Sequence, residues 1–95
     1  MFIVILKYEK SIKTVMKHLE EHTVFLNKYY TANKFICSGR QEPRTGGIIL
    51  CNAKDKEEVN SIIKEDPFYM NQIAKYEVIE FIPTKYQDGF KKFII

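Results

Sequence analysis

The stretch Phe2-Ile3-Val4-Ile5-Leu6 constrains this chain more than any other. Successive side chains of a strand point to opposite faces, so an unbroken apolar run has no face to offer water. The run reads as a central strand over residues 2–8, buried on both sides. A chain that begins this way must cover its first strand twice. Its 95 residues are enough for one domain with one core, spanning 1–95.

The following residues supply the first cover. Ser11 is placed to cap a helix over residues 12–31. Ile12, Val15, Met16, Leu19, Thr23, Leu26 and Tyr30 recur at helical spacing and define its apolar stripe. At about 100° per residue, His22 falls roughly 60° from the centre of that stripe, with His18, Phe25 and Tyr29 on the same flank. Asn33 suits the left-handed position after a helix. Residues 35–39 read as a second strand, and residues 40–47 as a polar loop punctuated by Pro43, Gly46 and Gly47. A third strand over 48–51, extended toward 53, makes a hairpin with the second. Asp55-Lys56-Glu57-Glu58 is a capping-box pattern that opens a helix burying Val59, Ile62 and Ile63. Residues 76–83 alternate as a fourth strand, closed by Pro83.

The order β-α-β-β-α-β is that of a ferredoxin-like α+β domain: an antiparallel four-stranded sheet with both helices on one face. Nothing in residues 2–83 covers the other face. The tail over 84–95 carries Tyr86, Phe90, Phe93, Ile94 and Ile95, which is apolar for a loose end. A homodimer in which sheets or tails meet would bury both, so the tail is expected at a dimer interface.

Glu65-Asp66-Pro67-Phe68-Tyr69 stands where the second helix must stop, because proline disfavours the α region for the residue before it. Asp66 there can simply accept backbone N–H groups of a turn. It can also hold a histidine. His22 and Asp66 lie on the two helices that share one face of the sheet. An imidazole held by a carboxylate is a general acid or base with a fixed tautomer. Aromatic rings of Phe25, Phe68 and Tyr69 would line the pocket. Ser38 and Gly39, at the end of the second strand, would add a hydroxyl and a close backbone approach.

Composition narrows the function. The net charge of +3 is mild and its lysines are scattered, unlike the one-sided basic face of a nucleic-acid binder. The RNA-binding fold of the same topology needs stacking aromatics on its third strand, and Ile48-Ile49-Leu50-Cys51 has none. No run is long enough to span a membrane, and there is no basic leader with a long apolar core. Cys37 and Cys51 read as reduced thiols of a cytoplasmic protein; they could face each other across the hairpin, in a register the sequence leaves open. No pattern calls for a cofactor. His18 and His22 are four apart but have no third metal ligand, and no helix follows Gly46-Gly47 to make a phosphate loop.

Taken in order, several segments resemble the YCII-related (YciI-like) family. They are Phe2-Ile3-Val4-Ile5-Leu6, His22-Thr23-Val24-Phe25-Leu26, Ser38-Gly39, Gly46-Gly47-Ile48-Ile49-Leu50, Asp66-Pro67-Phe68 and Tyr76-Glu77-Val78-Ile79-Glu80-Phe81. The ordered set spans residues 2–83, although no single piece is specific. The resemblance implies a dimeric α+β barrel, in which ferredoxin-like subunits pair through their sheets. It implies a catalytic His22–Asp66 dyad; from the residues themselves, Ser38, Gly39, Arg40, Arg44 and Phe68 are the candidates to surround the substrate. It also implies a small-molecule enzyme of elimination or isomerisation type, since one relative is a dehydrochlorinase. Most members have no known reaction, so a non-catalytic small-molecule sensor on the same fold is the alternative. Many relatives have proline where this chain has Arg40. That change reshapes the rim, and Arg40 or Arg44 can bind an anionic substrate.

Overall fold

The computed structural model describes residues 1–94. β1 (Phe2–Tyr8) is hydrogen-bonded along both edges, as its apolar run requires. On one side lies β3 (Gly46–Cys51) and on the other β4 (Ala74–Glu80), both antiparallel. β2 (Phe35–Arg40) completes a four-stranded sheet in the order β2-β3-β1-β4. The helices pack on one face, giving the ferredoxin-like α+β arrangement. Phe2 and Val4 lie opposite Cys51 and Ile49 and turn inward with them, almost without solvent contact. The other face carries Ile3 and Ile5 opposite Leu50 and Ile48, with Ile79 beside Ile3. There Ile48 is 41% and Ile79 42% exposed.

The first helix is two. α1 (Ile12–Lys17) is capped by Ser11, whose Oγ accepts the Thr14 N–H at 3.3 Å. At His18 the backbone leaves helical angles (φ −108°, ψ 3°), and its N–H closes on Val15 O at 3.1 Å, one residue short of the α spacing. α2 (Leu19–Thr31) follows and ends with Asn33 at φ 60°, in the left-handed position. The buried face is also rotated from the expected stripe. Val15, His22 and Phe25 are buried, whereas Ile12, Met16 and Thr23 are exposed. His22 is therefore a core position, not a shoulder.

Asp55 caps α3 (Lys56–Ile63) by accepting the Glu58 N–H at 2.8 Å, and Val59, Ile62 and Ile63 are buried. A short α4 (Pro67–Met70) follows, where the sequence suggested only a turn. β4 starts two residues earlier than expected and stops at Glu80, before Pro83. It stops because β1 runs out of partners at Phe2, which pairs with Glu80. Beyond that, the Met1 ammonium and the Phe81 carbonyl meet at 3.0 Å. The cysteines do not face each other. An irregularity between Phe35 and Cys37 shifts the register, so Cys37 pairs with Leu50 while Phe35 pairs with Cys51. Cys37 is exposed; Cys51 is buried, and burial pushes its thiol up to about 11. The tail forms a 3-10 helix over Asp88–Phe93 and folds back on its own chain, where Asn52 Nδ2 donates to Phe93 O at 2.7 Å. Ile95 lies outside the described residues.

Gly46 opens β3 where no side chain fits: a Cβ there would sit 1.8 Å from the Leu6 carbonyl oxygen. Gly39, on β2, has nothing within 4 Å of the same position. Gly46→Ala is expected to cost about 2–4 kcal/mol by forcing two strands apart, and Gly39→Ala to stay within about 0.5 kcal/mol. Denaturant unfolding of the two variants checks the contrast.

Candidate active site: a histidine–aspartate pair at a cavity

The site begins with the end of α3. The Glu65 and Asp66 N–H groups bond the Ile62 and Ile63 carbonyls at 3.0 Å each, which tightens the last turn. Pro67 then pushes Asp66 to extended angles (φ −73°, ψ 124°) and itself takes the first position of α4. Next to this corner, Glu65 accepts from Lys28 Nζ and from the Tyr29 hydroxyl, each at 2.6 Å. These contacts tie the end of α2 to the corner.

Asp66 is wholly buried, with 0% exposure. A buried carboxylate is tolerated only when donors match it. Here there are three. Oδ1 accepts the Phe68 N–H at 2.9 Å and meets His22 Nδ1 at 2.8 Å, and Oδ2 accepts the Tyr76 hydroxyl at 2.6 Å. The expected turn role and the expected histidine contact are thus filled by one oxygen. Burial, then the Asp66 charge, raises the Tyr76 phenol far above its ordinary value, so it remains a donor at neutral pH. An ionised carboxylate only accepts, so Nδ1 carries the hydrogen and Nε2 has the free lone pair in the neutral ring.

The His22 ring is held on its face as well. It stacks on Phe68 with centroids 4.0 Å apart and planes 2° from parallel. Phe25 lies beside it at 6.1 Å. Among the described residues, Nε2 has no hydrogen-bond partner. His22 lines a cavity of about 400 Å³ between α2 and the β2–β3 end of the sheet. Leu6, Leu19, Leu26, Ile49 and Phe68 form its apolar wall. Ser38, Gly39, Arg40 and Arg44 also border it, and the Ser38 and Tyr30 hydroxyls bond each other at 2.6 Å. The space stays open in part because Gly47, opposite the inward-facing Leu6, places no side chain into it.

Seven residues singled out in the sequence therefore gather in one place: Asp66 behind the ring, and His22, Ser38, Gly39, Arg40, Arg44 and Phe68 on the cavity wall. Two expected wall residues do not. Phe25 is buried in the core, and Tyr69 is 44% exposed and packs edge-on against Tyr76 outside the cavity. Sequence reasoning missed Tyr76. Its alternation with Val78 points it inward, and an inward phenol needs a polar partner. Tyr8, on the cavity wall and edge-on to Phe68 at 6.3 Å, was also missed. Among the described residues, no three His, Cys, Asp or Glu side chains gather as metal ligands. No helix there is long and apolar enough to cross a membrane.

Fold and site define a class: a ferredoxin-like α+β protein whose buried carboxylate–imidazole pair opens on a small cavity. The chain belongs to the YCII-related domain family, which it matches over residues 1–82. No curated protein matches its sequence. In structure it is similar to 5-chloro-2-hydroxyhydroquinone dehydrochlorinase from Burkholderia phenoliruptrix, solved in complex with 2,5-dihydroxybenzoquinone. The TM-score is 0.71 at 17% identity, covering 85% of this chain and 93% of that one. At that identity the likeness concerns the fold.

Tyr76→Phe leaves Oδ2 of a buried carboxylate without its donor. It is expected to cost about 1–3 kcal/mol, whereas Tyr69→Phe, at an exposed ring, should stay within about 0.5 kcal/mol. Equal unfolding free energies for the two variants would show that Asp66 does not rely on the Tyr76 hydroxyl.

Proposed function

We propose that His22 and Asp66 form an acid–base pair that moves a proton on a small molecule bound in the cavity. One observation carries this reading. His22 Nδ1 is committed to a buried carboxylate at 2.8 Å, while the ring borders a cavity with Nε2 unpartnered among the described residues. That combination fixes the tautomer of a general base and leaves its basic nitrogen available. In an elimination, Nε2 takes a proton from carbon. The C–H electron pair becomes the new double bond, and the leaving group departs with its own bonding pair. In an isomerisation, the imidazolium returns the proton to another atom of the same molecule. Asp66 stays ionised and stabilises the imidazolium formed between these steps. The dehydrochlorinase activity named for the structural relative is of the first kind, and dehydrochlorination or isomerisation is the reaction type proposed for this chain.

With a substrate in hand, His22→Ala and Asp66→Asn should each lower turnover by roughly 10²–10⁴-fold. The double variant should lose little more than the worse single one, as for residues acting as a unit. Additive losses would break the pair. Ligand binding without any turnover, unchanged in His22→Ala, would make the protein a sensor instead.

The same reading includes a homodimer. The open sheet face presents Ile48 and Ile79 at 41% and 42% exposure beside Ile3, Ile5 and Leu50, and a second copy would cover it. The tail would add to that interface from its anchor at Asn52. Sedimentation at micromolar concentration should give twice the mass of the 11.3 kDa chain. A monomer there would remove the dimer from the reading.

A further inference from the structure

The acid–base reading leaves two cavity side chains without work. Arg40 and Arg44 are the only arginines in the sequence, and both border the cavity. The four ion pairs among the described residues use His22, Lys28, Lys34 and Lys75, and neither arginine. Arg44 Nε is buried and has no hydrogen-bond partner among the described residues. One terminal nitrogen of the same guanidinium has only the Met16 sulfur, at 3.3 Å, and a thioether is a weak acceptor. A buried donor left unmade is costly, so a built-in guanidinium of this kind implies an acceptor that arrives from outside.

The cavity provides no acid to compete for that role. Among the described residues, its wall holds no Asp or Glu. Asp66 lies behind the His22 ring and already accepts three hydrogen bonds. The cavity therefore pairs unneutralised positive charge with an apolar wall, and this distinguishes between anions. Inorganic phosphate would satisfy the arginines and leave the leucines empty. A nucleotide has no phosphate-cradling helix to meet and needs more room. At about 400 Å³ the cavity lies toward the small end of the range for small-molecule sites.

We propose that the ligand of this cavity is a single-ring-sized organic acid. Arg44 holds its carboxylate, and Arg40 adds charge at the rim. The planar guanidinium fork suits a carboxylate, which it meets with two parallel hydrogen bonds. The hydrocarbon part lies against Leu6, Leu26 and Ile49. This deepens the reading above, since it names the substrate class of the same cavity, but it does not depend on His22 being catalytic.

Benzoate and benzamide test it, because they share a shape and differ in charge. Binding is read by NMR from the Arg44 Nε–H and His22 ring signals of the full chain. Benzoate should bind at millimolar concentration or below, at least tenfold tighter than benzamide and tenfold tighter than inorganic phosphate. Added salt should weaken it. Arg44→Gln should remove the tenfold preference and leave benzamide unchanged. No benzoate binding, a benzamide equal to benzoate, a phosphate equal to benzoate, or a preference that survives in Arg44→Gln each overturns the proposal. The wild-type comparison stands even if that variant does not fold. A His22→Asn protein that keeps the benzoate preference, with turnover never dependent on His22, would sink the acid–base reading and leave this one standing. Charge-blind binding together with His22-dependent turnover would do the reverse.

Discussion

The carboxylate of Asp66 holds this site together. It carries a negative charge at a position with no solvent contact. Three donors from three elements make that possible: a ring nitrogen of α2, a backbone N–H of α4 and a phenol of β4. Removing any one leaves a buried charge short of a partner. α2, the corner after α3 and the edge strand β4 are therefore held to one point. The Glu65 contacts to Lys28 and Tyr29 reinforce it from the surface. The geometry that keeps Nε2 free is a by-product of satisfying this acid.

Much of the scaffold could be read directly from residue patterns. The apolar run of β1, the caps at Ser11 and Asp55 and the left-handed Asn33 are local signals with local causes, and each stands where it was expected. The bounds of β4 were not readable, because a strand ends where its partner ends, and Phe2 is far from Glu80 in sequence. The buried face of α1 and α2 differs from the expected stripe for a related reason. Counting apolar residues favours Ile12, Met16 and Thr23, but the core takes His22. Nothing local makes a histidine a core residue. Its polar atom is satisfied by Asp66, 44 positions away. The same long-range logic hid Tyr76.

The cavity depends on omissions as much as on side chains. α2 covers Phe35 at the start of β2 and leaves Ser38 and Arg40 at its end uncovered, while Gly47 places no side chain over the gap. Apolar residues and two arginines border the same space, and His22 and the Phe68 ring stacked on it both reach the wall. That part of the molecule was readable as residues and not as a shape, because strand register places Arg40 and the loop from β2 to β3 places Arg44.

The double duty of Asp66 Oδ1 bears on how such a protein would drift under selection. The oxygen caps α4 and holds the histidine, so its loss would damage folding whether or not any reaction takes place. A descendant that abandoned any chemistry would keep the acid for its structure, and could exchange His22 only for another side chain that donates to Oδ1. Across a lineage, the aspartate and its donor would therefore record the need for a fold, and only the second ring nitrogen would be released from selection.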